Sequence, residues 1–171
     1  SEMCIRDRDV IRQAQVNDLT QIQEIYNHAI KHTTAVYTYE TVTLEEREKW
    51  FQTKQQLQQP VFVYERNGEV LGFATYGQFR NWPAYQFTIE HSLYVSPNAR
   101  RQGIASQLLE ILIQDAREKQ FQTMVAGIDD QNIQSKLLHE KFGFRHMGTL
   151  EKVGYKFEQW LNLAFYQIQL K

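Results

Sequence analysis

The chain has 171 residues, 42% of them hydrophobic and 13% aromatic, which is enough for one compact domain whose core needs no covalent or metal staple. A formal net charge of -1 provides no basic face of the kind a phosphate backbone demands, and no apolar run approaches the ~20 residues of a membrane span. With no charged-then-apolar leader and Cys4 the only cysteine, the sequence reads as soluble and cytosolic, with no metal, nucleic acid or membrane partner.

The first eight residues stand apart. The codons TCG GAG ATG TGT ATA AGA GAC AG, a sequencing-library transposon end, translate in frame to Ser1–Arg8, so residues 1–8 are read as an adapter-derived scar, with a disordered arm as the alternative. Residues 9–171 form the single domain. Val10 to Ala14 alternates as a first strand, and the polar Asn17 and Asp18 can cap the helix that follows. In that helix Leu19, Ile22, Ile25, Tyr26, Ala29 and Ile30 fall on one stripe. Thr33 to Thr41 has no helical period and reads as a loop. Thr43-Leu44-Glu45-Glu46 is a capping box that opens a second helix running to about Gln58. Val61–Glu65 and Val70–Tyr76 are strands joined through Asn67-Gly68, a tight hairpin signal. Tyr85 to Val95 predicts a long strand stopped by Pro97, and Ile104 onward an amphipathic helix. Thr123–Ile128 returns as a strand, Ile133–Phe142 as a helix, and Phe144–Val153 and Leu161–Leu170 as two closing strands. Charge runs such as Glu45 to Lys49 read as an exposed helix face.

The most informative segment is Leu93-Tyr94-Val95-Ser96-Pro97-Asn98-Ala99-Arg100-Arg101-Gln102-Gly103-Ile104-Ala105-Ser106, a strand that breaks into a turn and then opens a helix. Small residues at Gly103 and Ala105 let the backbone approach a ligand, and the first N–H groups of a helix attract an anion such as a pyrophosphate. Arg100 and Arg101 can add charge-assisted hydrogen bonds. A dinucleotide or nucleoside triphosphate site has the same outline, but Gly-x-Gly-x-x-Gly and Gly-Lys-Ser/Thr are both absent. By itself the hexapeptide Arg100-Arg101-Gln102-Gly103-Ile104-Ala105 is also compatible with a glycine turn at the start of a surface helix.

This hexapeptide resembles the Gln/Arg-x-x-Gly-x-Gly/Ala signature of the GNAT superfamily of N-acetyltransferases. Asn132, Ser135 and His139 share one helical face before Phe142-Gly143-Phe144, which resembles the superfamily's second signature. There the Asn touches the coenzyme A arm, and a residue about seven positions on, usually Tyr, lies near the thioester sulfur. That slot here holds His139, either a proton donor to the leaving thiolate or a histidine packed beside the cofactor. Tyr26-Asn27-His28-Ala29, Thr88-Ile89-Glu90-His91-Ser92-Leu93-Tyr94-Val95 and Gly154-Tyr155-Lys156-Phe157-Glu158-Gln159-Trp160 narrow the resemblance to phosphinothricin and methionine sulfoximine or sulfone acetyltransferases. The resemblance spans Val10 to Leu170. It implies a mixed α/β fold with a mostly antiparallel sheet of about seven strands and about four helices, acetyl-CoA as co-substrate, a small-molecule amine as acceptor, and a homodimer. It further implies cofactor contacts from Leu93, Tyr94, Val95, Arg100, Arg101, Gln102, Gly103, Ile104, Ala105, Ser106, Asn132 and Ser135.

An ammonium must lose a proton before it can attack a thioester. Glu90, three residues before the stretch expected to pair with the pantetheine, is the candidate base, against the alternative of a solvated strand glutamate. A backbone N–H near Leu93, freed where the strand splays from its neighbour, is the candidate oxyanion donor. With Cys4 outside the domain no acyl-cysteine route has a candidate. His91 should project to the face opposite Glu90 and not form a dyad with it. Arg80 can fork onto a substrate carboxylate, with Tyr37, Trp82 and Tyr85 as pocket walls. Other readings are acetylation of a protein N-terminus, a polyamine or an aminoacyl-RNA, or a non-catalytic acyl-CoA sensor. Only the enzyme needs Glu90.

Overall fold

The computed structural model describes residues 2–6, as backbone, and 8–171. Its elements in chain order are β1 (Glu2–Arg6), β2 (Asp9–Gln13), α1 (Leu19–His32), α2 (Leu44–Gln56), β3 (Val61–Arg66), β4 (Glu69–Gln78), β5 (Thr88–Val95), α3 (Ile104–Glu118), β6 (Thr123–Asp129), α4 (Ile133–Lys141), β7 (Arg145–Lys156) and β8 (Gln159–Gln169). One sheet runs β1-β2-β3-β4-β5-β6-β8-β7. Every neighbouring pair is antiparallel except β5 and β6. The seven strands and four helices expected for residues 9–171 are present. In addition, Glu2–Arg6, which the sequence reading left out of the fold, pairs antiparallel with β2 as an eighth, outer strand; Ser1, Asp7 and the side chain of Cys4 lie outside what is described.

Local chemistry explains most boundaries. Thr43 Oγ1 accepts from the Glu46 N–H and Glu46 Oε1 from the Thr43 N–H, both at 3.1 Å, so the capping box forms as the sequence predicts. Asn67 and Gly68 have φ of 51° and 80°, the pair of left-handed residues that a two-residue hairpin matched to strand twist requires. Two boundaries differ from expectation. Asp18 does not cap α1 with its side chain; its carboxylate accepts from the Gln15 N–H at 2.7 Å and from both Arg12 terminal nitrogens, because a short 3-10 turn at Val16–Asp18 intervenes. Tyr85 lies in another such turn, Pro83–Tyr85, and β5 starts only at Thr88, since Pro83 fixes the turn geometry and has no N–H for a ladder.

Two apolar clusters sandwich the sheet. On one face Ile104, Leu108, Leu109 and Leu112 of α3 pack with Phe62, Tyr64, Ala74, Tyr76 and Ile89. On the other Leu19, Ile22 and Ile25 of α1 and Phe51 of α2 pack with Val61, Val63 and Phe73. Strand alternation therefore sends Ile89, His91, Leu93 and Val95 of β5 toward α3 and α4, and Glu90, Ser92 and Tyr94 toward α1 and α2. Asn27 of α1 ties down the α1–α2 loop by exchanging two hydrogen bonds with the Val42 backbone at 2.9 and 2.8 Å.

Candidate active site

A cleft of about 910 Å³ opens along the C-terminal half of β5, and the hydrogen-bond pattern of that strand explains why. Phe79 N–H donates to Thr88 C=O at 3.2 Å and Ser96 N–H to Leu71 C=O at 2.8 Å. Even-numbered residues of β5 thus bond to β4, and the N–H groups of His91, Leu93 and Val95 point the other way, toward β6. Parallel pairing with β6 ends at Glu90 opposite Val125. Beyond that point the strands part, and main-chain donors of β5 face a gap.

The gap leads to the start of α3. Gly103 is the N-cap of α3 with φ of 76° and has no side chain to cap that end. The first intrahelical bond is Gln107 N–H to Gly103 C=O at 3.2 Å, so the N–H groups of Ile104, Ala105 and Ser106 are not used within the helix. A Cβ on Gly103 would meet only Gln107 Nε2, at 3.6 Å. The backbone, not crowding, is what demands glycine here. Arg101, a non-glycine residue also held at positive φ (63°), and Arg100 line the cleft beside these donors. This arrangement suits an anionic diphosphate.

Leu93, Tyr94, Val95, Arg100, Arg101, Gly103, Ile104, Ala105, Ser106, Asn132 and Ser135 all line the cleft, as do Glu90, His139 and Tyr37. Gln102 does not: its Oε1 accepts from Arg66 Nη1 at 2.8 Å, because the left-handed step at Arg101 turns it outward. Asn132 caps α4, its Oδ1 accepting from the Ser135 N–H at 3.0 Å, which leaves its amide N–H groups for a ligand. Of the acceptor candidates, Arg80 lies 3.9 Å from Glu90. Tyr85 packs edge-on against Phe79 at 5.6 Å outside the lining, and Trp82 is 73% exposed.

Glu90 is half-buried on the α1/α2 face, and its Oε2 leans toward Gly127, where a Cβ would come within 3.4 Å of it. Burial pushes its carboxyl above the usual carboxylate range, and Arg80 opposes this more weakly. A base with a raised pKa takes up a proton nearer to neutrality. His139 is buried, with Nδ1 2.7 Å from the Ser135 carbonyl oxygen and Nε2 2.9 Å from Nε2 of His91. A carbonyl only accepts, so Nδ1 of neutral His139 carries the proton and the shared proton comes from His91. Burial depresses both imidazoles, so neither is an imidazolium at neutral pH. Among the described residues, buried His91 Nδ1 has no hydrogen-bond partner.

Residues 11–164 match the acetyltransferase (GNAT) domain family. The chain belongs to the GNAT acetyltransferases. It is 42% identical over 160 residues to a methionine sulfoximine/methionine sulfone acetyltransferase of Salmonella typhimurium, covering 94% of each chain. An N-acetyltransferase crystal structure from Staphylococcus aureus Mu50 superposes with a TM-score of 0.96 at 58% identity, covering 96% of this chain and all of the other. A phosphinothricin acetyltransferase from Sinorhizobium meliloti, in complex with acetyl-CoA, superposes with a TM-score of 0.92 at 33% identity over 95% of this chain and 88% of that one. Acetyl-CoA is the co-substrate of this GNAT chain, and the uncapped α3 N-terminus, Arg100, Arg101 and the main-chain donors in the gap are a donor set that fits it.

Three participants escaped the sequence reading. Asp129 is buried and accepts from Thr34 Oγ1 at 2.6 Å and Tyr37 OH at 3.0 Å, fastening the α1–α2 loop over the cleft. Lys156 is buried and donates to the Thr33 and Val36 carbonyls at 2.7 Å each, holding the same loop from the other side. Lys54 of α2 lines the cleft opposite them. Lys156 lies in one of the segments that carried the family resemblance. Asp129 and Lys54 have no such local signal.

Proposed function

We propose that the protein transfers the acetyl group of acetyl-CoA to the α-amino group of a small amino acid of the methionine sulfoximine, methionine sulfone or phosphinothricin type, by direct attack in a ternary complex. One observation carries this: β5 leaves β6 immediately after Glu90, so a half-buried carboxylate with a raised pKa stands at the head of a gap lined by free main-chain donors. Glu90 removes the proton that the ammonium must lose. The Leu93 N–H, turned into the gap, meets the negative charge that develops on the acetyl oxygen. His139 stands at the leaving-group side as a neutral side chain, its Nδ1 held by the Ser135 carbonyl and its Nε2 by His91, and the departing thiolate takes up the second proton that the amine nitrogen sheds as the tetrahedral intermediate collapses. Arg80 and Tyr37 belong to the acceptor side, with Arg80 close enough to Glu90 to restrain its carboxylate. A homodimer is supported by exposed apolar side chains along the outer hairpin, among them Met147, Leu150, Val153, Tyr155 and Trp160. We place the protein in the cytoplasm, where acetyl-CoA is available.

The test is thiol release from acetyl-CoA with methionine sulfoximine, methionine sulfone, phosphinothricin and unrelated primary amines. Selective turnover of the amino acids is expected. Preference for a polyamine or a peptide N-terminus would replace the acceptor assignment, and no turnover with any amine would leave an acyl-CoA sensor.

A further inference from the structure

The face of α2 turned to the sheet carries two basic side chains, Arg47 and Lys54, one heptad apart. Arg47 is spent on packing: its guanidinium lies 4.2 Å over the Tyr26 ring and 4.3 Å over Trp50, and among the described residues its Nε has no hydrogen-bond partner. Lys54 is different. Its Nζ donates to the Tyr76 carbonyl at 3.0 Å, which uses one of three protons, and among the described residues it forms no ion pair. The ammonium sits above Gly77, where any Cβ would stand 3.3 Å from it, so the absence of a side chain there is what gives it room. Gly77 pairs with Glu90 across β4 and β5, and both line the same cleft as Lys54. Neighbouring strands are roughly 4.8 Å apart, and Glu90 leans away from Lys54 toward Gly127 on β6. Cation and base therefore face one chamber without forming an ion pair with each other among the described residues.

We propose that Lys54 is the acceptor-binding cation of this chamber, holding the α-carboxylate of the amino acid while the α-amino group, two bonds away, is presented to Glu90. The inference rests on the amino-acid acceptor proposed above and adds the residue that selects for it. Arg80 is less suited to this task, since it is half exposed and already beside Glu90. Burial lowers the Lys54 pKa to about 8, which keeps the group mostly charged at neutral pH and makes an incoming carboxylate its natural partner.

The experiment compares methionine sulfone with 3-(methylsulfonyl)propan-1-amine, the same chain without its carboxylate, in the full-length parent, Lys54→Met, Lys54→Arg and Arg80→Met. A charge-assisted hydrogen bond to a carboxylate is worth about 10- to 100-fold. Lys54→Met is expected to lower kcat/KM for the amino acid by about that factor relative to the amine, mainly through KM, with the KM for acetyl-CoA and the melting temperature reporting an intact fold. Lys54→Arg should recover much of the discrimination. Equal losses on both acceptors, or discrimination that disappears in Arg80→Met and persists in Lys54→Met, would remove Lys54 from this role while leaving the acetyltransferase reading in place. A parent protein that turns over neither acceptor overturns the acceptor assignment and this inference with it.

Discussion

The two faces of β5 are built from different material. Where β5 parts from β6 and the chain turns into α3, the cleft is made largely of main chain: the N–H groups of Leu93 and Val95 in the gap, and those of Ile104, Ala105 and Ser106 beyond the left-handed Gly103. Toward α1 and α2 it is made of side chains gathered from distant parts of the chain, with Lys54 over β4, Glu90 on β5, Asp129 on β6 and Tyr37 from the α1–α2 loop. A main-chain site serves an invariant ligand, since peptide groups cannot be exchanged by mutation. A side-chain site is adjustable, and this is where one member of a family can differ from another in the amine it accepts.

If this division holds, substitutions on the two faces give separable effects. The largest is expected for Glu90→Gln, which should slow amine acetylation by ~10²-fold or more while acetyl-CoA affinity stays at the parent value. Pre-steady-state thiol release alongside calorimetric titration would read both, and unchanged turnover would remove Glu90 from the chemistry. A smaller effect is expected on the other face. His91 is held neutral in the folded protein, with its pKa below the 6.5 of a free histidine, so the unfolded chain binds the extra proton first. Stability from this group is complete above about pH 6.5 and is lost as the pH falls below it. Between pH 7.5 and 5.0 the melting temperature of the parent should fall further than that of His91→Phe, by ~5 °C. Parallel curves would mean that the histidine pair is not buried and neutral as described.

The same contrast governs how much could be read before the fold was known. The anion cradle was legible because its parts are contiguous: Val95 ends a strand, Pro97 stops it, Gly103 supplies the left-handed residue and Ile104 starts a helix, all within ten residues of chain. The capping box at Thr43 and the Asn67-Gly68 turn were legible for the same reason. Glu90 was singled out by its place three residues before the stretch expected to pair with the pantetheine and by the family resemblance, and alternation placed His91 on the opposite face. What alternation could not supply was the partner. His91 meets His139 across 48 positions of sequence only because α4 packs over that side of the gap. Lys54 and Asp129 were missed because their signal is non-local: Lys54 reads as an ordinary helix lysine until Gly77 is placed beneath it. Gln102 was assigned to the cleft by its place in the hexapeptide, and the left-handed Arg101 step, invisible at a non-glycine position, turns it toward Arg66.

In the proposed enzyme, main-chain amides at the head of α3 grip the diphosphate, and Gly103 must be glycine to present them. A β-branched side chain in a left-handed conformation costs about 1–2 kcal/mol, which the loop can avoid only by moving those amides. Calorimetric titration of coenzyme A into the parent and Gly103→Val tests this directly. Affinity weaker by ~10-fold or more in a variant whose thermal unfolding stays cooperative is the expected result, whereas binding as tight as the parent's would contradict it.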